Sequence, residues 1–128
     1  MTLQILRAAI ALGVVGTFAA EVAAADTLGG NWRAVRALGG DVNGPELSIN
    51  GGEVSGTGGC NRFSGSAVIN GSALKFGPLR ATKKFCAGKM DTETVFLSAL
   101  DATRAFAVSG SELVFTDETG SPVAIFKK

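Results

Sequence analysis

From residue 26 onward the chain is a succession of short apolar runs separated by glycine-bearing turns. Trp32 to Leu38 reads as a first strand, ended by Gly39-Gly40. Glu46 to Asn50 alternates, with Leu47 and Ile49 on one face. Asn50-Gly51-Gly52 then predicts a hairpin turn, with Glu53 to Thr57 as its return strand. Phe63 to Ile69 and Ala73 to Phe76 flank a second hairpin signal, Asn70-Gly71. Gly77-Pro78 breaks the ladder, and Leu79 to Phe85 has the character of a weakly pairing strand. Ala105 to Ser109, Glu112 to Thr116 and Pro122 to Lys127 continue the pattern around Gly110-Ser111 and the turn Asp117 to Gly120.

One segment departs from it. Asp91-Thr92-Glu93-Thr94 predicts a helix start, with Asp91 as N-cap and acids in the first turn complementing the helix dipole. Phe96, Leu97 and Leu100 then form a single apolar stripe that fades near Thr103. The expected fold is mainly β: an antiparallel β-barrel or half-barrel of about eight short strands, with one α-helix covering an opening.

The first 25 residues carry a different pattern. Met1 to Arg7 holds one basic side chain, Ala8 to Ala20 is an apolar run, and Ala23-Ala24-Ala25 is a small-residue cleavage site. This is the layout of a secretory signal peptide. The 13-residue run is too short to make a stable membrane span. The expected organisation is a signal peptide over 1–25 and one domain over 26–128. The product is expected to be periplasmic or secreted, a monomer without a membrane span.

Export changes the reading of the two cysteines. Cys60 and Cys86 in an oxidising compartment read as a disulfide. The chain has no histidine, and two thiolates alone do not complete a zinc site. A cysteine nucleophile would also lack its usual base. Sixteen of the eighteen glycines lie beyond the signal segment, spread along the chain beside short apolar runs, and four of them surround Cys60 in GTGGCNRFSGS, residues 56–66. That stretch lacks the ending of a phosphate loop and precedes a strand rather than a helix. Its glycines are expected to allow positive φ or close backbone approach.

Net charge is +1, yet residues 54–90 contain no acid and carry Arg62, Lys75, Arg80, Lys83, Lys84 and Lys89. Joining Cys60 to Cys86 would draw the ends of this stretch together. Arg62, Lys83, Lys84 and Lys89 are therefore a candidate basic contact patch. Side chains pointing in different directions around a barrel would leave an ordinary solvated surface instead. Export removes nucleic acid as the natural partner.

Catalytic chemistry has little to draw on. With no histidine and no tyrosine, the general acid/base inventory is thin. Asp91 and Glu93 are accounted for by the helix start, and Ser64 and Ser66 have no candidate base. No metal, cofactor or catalytic residue is expected.

Gly59-Cys60-Asn61-Arg62-Phe63-Ser64-Gly65 resembles the G-C-N-x-[FY]-x-G signature of the META domain, the HslJ-like family. The likeness extends to Trp32, to Phe76 to Thr82 followed by Cys86, to Met90, Glu93 and Ala99-Leu100, and to a final hairpin over Leu113 to Gly120. Ala67 stands where the family often has an aromatic, and Phe106 where it has tyrosine. The resemblance implies a mainly β fold with one helix, an exported location and an association with heat-shock or envelope-stress responses. It implies no enzyme. It also assigns Gly59, Asn61, Arg62, Phe63 and Gly65 to a structural motif loop beside the cystine.

The function expected from all of this is a non-catalytic exported module that supports envelope integrity or the stress response through protein or ligand contacts. The alternatives are a small secreted β-barrel protease inhibitor and a carrier of a small apolar ligand.

Overall fold

The computed structural model describes residues 28–128. The predicted signal segment over 1–25 lies outside the described residues.

Ten strands and one helix follow in order among the described residues. Strands β1 (Gly30–Ala37) and β2 (Gly40–Asp41) form a tight hairpin, with Leu38 and Gly39 both at positive φ. The sequence pattern ends a strand at Gly39-Gly40, and the short return strand is an addition to it. Next come β3 (Glu46–Asn50), β4 (Glu53–Thr57), β5 (Arg62–Asn70) and β6 (Ala73–Phe76). The weak strand expected over 79–85 is reduced to β7 (Arg80–Ala81), which pairs with β5. After α1 (Met90–Ala102) the chain returns as β8 (Ala105–Ser109), β9 (Glu112–Thr116) and β10 (Pro122–Lys127).

All pairings are antiparallel. The ring runs β1-β3-β4-β5-β6-β8-β9-β10, and β10 pairs back onto β1 through Ala34↔Phe126 and Ala37↔Ala124. The sheet is therefore a closed eight-stranded barrel with β2 and β7 as extra strands, which settles the choice between barrel and half-barrel. Closure removes the exposed edges that a half-barrel would carry. Every strand of the ring lies between Gly30 and Lys127.

Eight strands enclose a space that side chains can fill. Here Trp32, Phe63, Phe76, Phe106, Phe115 and Phe126 are all buried. Phe115 lies tilted against Phe126 at 4.8 Å and against Phe76 at 5.7 Å, ring centre to ring centre. The interior is thus an aromatic core, and Trp32 hydrogen-bonds through Nε1 to the Leu28 carbonyl at 2.8 Å.

The helix packs against β1 and β10 on one side of the ring and β6 on the other, so it spans a barrel mouth. Phe96 links the two sides: its ring lies 6.1 Å from Phe63 and 6.0 Å from Phe126. The inward stripe differs from the one expected. Phe96 and Leu100 are fully buried, but Leu97 is only half-buried. The buried set is completed by Ala99, by Glu93 one turn earlier and by Thr103 at the helix end. Thr103 closes the last turn by donating its hydroxyl to the Ala99 carbonyl at 2.8 Å.

Asp91 is not the N-cap. Lys89 takes that place without a side-chain cap, and Asp91 is the exposed second residue of the helix. The turn Cys86–Lys89, closed by the Lys89 N–H on the Cys86 carbonyl, already delivers the chain into helical geometry.

Candidate functional site

Where β4 turns into β5, residues 58–61 run against the first turn of α1 and against the segment 82–86. Cys60 and Cys86 are disulfide-bonded, with Cα atoms 5.8 Å apart. The bond closes a separation of 26 residues, worth about 3.5 kcal/mol in the chain-entropy model.

Beside the cystine, Asn61 is buried and its side chain is fully used. Its Oδ1 accepts the Lys84 N–H at 2.6 Å and the Thr82 hydroxyl at 2.8 Å. Its Nδ2 donates to the Lys84 carbonyl at 3.0 Å and to Glu93 Oε2 at 2.7 Å. An asparagine amide offers two donors and a two-lone-pair acceptor, so no capacity is left over. The backbone strengthens the same junction, because Arg62 and Thr82 exchange hydrogen bonds: Thr82 N–H to the Arg62 carbonyl at 3.0 Å, and Arg62 N–H to Thr82 Oγ1 at 3.2 Å.

Glu93 is the element that the sequence pattern misplaces. It does sit in the first helical turn, but it is only 5 % exposed and points at the loop. Its Oε1 accepts the Asn61 N–H at 2.6 Å and the Cys60 N–H at 3.1 Å. Burial alone would push this carboxyl up; the Asn61 side chain and the two backbone N–H groups outweigh it and hold Glu93 below its ordinary value. The carboxylate is therefore an anion that satisfies three donors. It is not a free base. No sequence signal marks this role, because an acid in a first helical turn already has a local explanation.

One glycine fits directly against this carboxylate. A Cβ on Gly58 would stand 2.5 Å from Glu93 Cγ. Gly59 has φ +111°, a conformation that side-chain-bearing residues rarely adopt. Gly65, further along β5, lies under the Pro78 carbonyl, 2.8 Å from where a Cβ would be. Of the expected motif loop, Gly59 and Asn61 lie in the turn, whereas Arg62, Phe63 and Gly65 belong to strand β5, and Phe63 is buried in the core against Phe96.

The four candidate cations gather around the same junction through their backbones. Arg62 bonds to Thr82, which Lys83 follows directly; Lys84 bonds to Asn61; Lys89 bonds to Cys86 and, through its carbonyl, to the Glu93 N–H at 3.1 Å. All four side chains are exposed. The two ion pairs among the described residues, Arg36–Asp41 and Lys127–Glu112, lie elsewhere. The sequence pattern also missed Phe85, which stands between Lys84 and Cys86 and is 80 % exposed.

A second surface was not anticipated. Asn31, Ser48, Ser55, Ser64 and Arg80 lie in register across five strands. The serines and Arg80 line an open groove of about 750 Å³ on the outside of the sheet. Its hydroxyls have no histidine to activate them. Among the described residues no three His, Cys, Asp or Glu side chains cluster as metal ligands would.

Comparison with known proteins places this architecture. A search of curated proteins returned no match. Among solved structures, the chain is similar to a protein from Burkholderia xenovorans studied by NMR, with a TM-score of 0.61 at 21% identity over 77% of this chain and 80% of that one. It is also similar to a DUF4847-family protein from Bacteroides vulgatus, with a TM-score of 0.58 at 14% identity over 77% of this chain and 91% of that one. At these identities the likeness concerns the fold. The META domain model matches residues 25–128, a span that takes in the barrel, the helix and the cystine loop, and the chain belongs to the META domain family.

Proposed function

We propose that this protein is a non-catalytic exported module that supports the cell envelope, under heat or other stress, through contacts made by its surface. The observation that carries the reading is the fate of Glu93. This buried carboxylate, and the Asn61 amide beside it, are spent on holding a loop. What the loop offers to solvent is Arg62, Lys83, Lys84 and Lys89. An anionic envelope component or an acidic protein surface fits that offer. The aromatic filling of the barrel speaks against an apolar ligand carried inside it.

Two experiments test the proposal. N-terminal sequencing of material from the extracytoplasmic fraction should begin near Asp26, and material that begins at Met1 would count against export. On heparin at low salt, the protein should be retained and the Lys83→Glu, Lys84→Glu double variant should elute earlier. Equal elution would remove the basic surface as the contact.

A further inference from the structure

Residues 82–89 are clamped at three points. Lys84 is held by the Asn61 side chain, Cys86 by the disulfide, and Lys89 by its N–H on the Cys86 carbonyl. Phe85 sits between the first two clamps and is 80 % exposed, more than any other large hydrophobic residue among those described. A phenylalanine on a free loop can fold back onto apolar surface. Here the backbone on both sides is fixed, and the ring is held out in water. Single exposed apolar residues are common. This one differs in being fixed in place and bordered by cations. Ala87 and Gly88, the next residues after the cystine, are small and exposed, so a flat surface can come close to the loop.

Resting on the reading above, we propose that this loop docks onto the surface of an anionic phospholipid bilayer. The Phe85 ring enters the boundary between headgroups and acyl chains. Lys83, Lys84, Lys89 and Arg62 lie against the lipid phosphates, their alkyl stems running along the interface. Residues 54–90 contain no acid, and Asp91 is the next acid in sequence after Lys89. Exposed Glu46, which lines one surface hollow with Arg62, offsets part of that residue's charge, so Lys83, Lys84 and Lys89 carry the attraction. A soluble polyanion would use the lysines but gain nothing from a bare aromatic ring among them. A bilayer uses both.

The test is co-sedimentation of the chain from Asp26 to Lys128, which contains the whole barrel, with vesicles of phosphatidylcholine alone or with added phosphatidylglycerol. Binding is expected only with phosphatidylglycerol, and it should weaken as salt rises because exposed charges are screened over about 8–10 Å. Each lysine removed from the pair Lys83 and Lys84 should weaken it by about fivefold. Phe85→Ser should also release the protein from vesicles while leaving heparin retention unchanged, and thermal melting should confirm that this exposed variant is folded. In Phe85→Trp, tryptophan emission should shift to the blue on adding anionic vesicles. Vesicle binding that Phe85→Ser does not weaken, or an unshifted emission, would overturn the bilayer proposal and leave a soluble or protein polyanion as the partner. Absence of both vesicle binding and heparin retention would overturn the basic contact surface as well.

Discussion

Asn61 and Lys84 are joined as neighbours in a sheet would be, although neither lies in a strand. One side-chain amide takes both the N–H and the C=O of Lys84, at 2.6 Å and 3.0 Å. A single side chain thus replaces one step of backbone ladder at the point where the chain leaves β7 for the cystine. The same amide donates to Glu93 at 2.7 Å, so strand end, loop and helix meet on one residue.

Asn61→Asp tests why this residue is an amide. The variant keeps the shape but loses both donors and sets a second carboxylate against Glu93. Two buried acids in contact cannot both ionise cheaply, so one is held above its ordinary value. Stability should then fall as pH rises from the unfolded carboxylate range through that raised value. Urea melts from pH 3 to 7 read the slope. A variant as stable as the parent at pH 7 would show that the amide donors are dispensable.

Glu93→Gln should show the other sign. In the parent, Glu93 is held below its ordinary value. Its stabilisation is present above the unfolded carboxylate value, about 4.3, and is lost as pH falls through the lower folded one. The substituted amide would turn an N–H₂ group towards one of the three donors and lose charge-assisted bonds, at a cost of about 1.5–3 kcal/mol near neutral pH. The gap between parent and variant should close in acid, and a gap independent of pH would contradict the assignment.

Much of this fold is legible in the sequence because hairpins announce themselves. Asn50 and Asn70 end β3 and β5, and Gly51 and Gly71 directly after them open the turns to β4 and β6 at positive φ. Barrel closure is not legible: it depends on the pairing of β1 with β10, which stand at opposite ends of the domain sequence. The cystine was accessible from residue types and the expected compartment. The Glu93 bridge was harder to see, because a helix-start acid already has a sufficient local explanation. Only the approach of Cys60 and Asn61 to the helix reveals its second role. For the same reason Phe85 reads as part of a weak strand until the loop is seen to hold it outside.

Removing the cystine by a Cys60→Ala, Cys86→Ala double substitution should lower stability by about 2–5 kcal/mol. Mass spectrometry of the parent without reduction should show two hydrogens fewer than the dithiol. A parent whose thiols are both alkylated in the native state would contradict the bond.

Leu100→Ala tests the seat of the helix. Leu100 is fully buried at the barrel mouth, and the truncation should cost about 2–5 kcal/mol in urea melts. A loss below about 0.5 kcal/mol is what an exposed position would show, and it would place the stripe elsewhere.

The bridge from Glu93 through Asn61 to Lys84 is tested most directly by hydrogen exchange at one amide, the Lys84 N–H, with the disulfide intact in every sample. In the parent this amide should be protected nearly as strongly as those of the barrel strands, because opening it requires breaking the buried Asn61 network. In Glu93→Gln its protection should fall while the amides of β9 and β10 keep their rank order. Exchange of the Lys84 amide in the parent at the rate of an open loop would contradict the bridge.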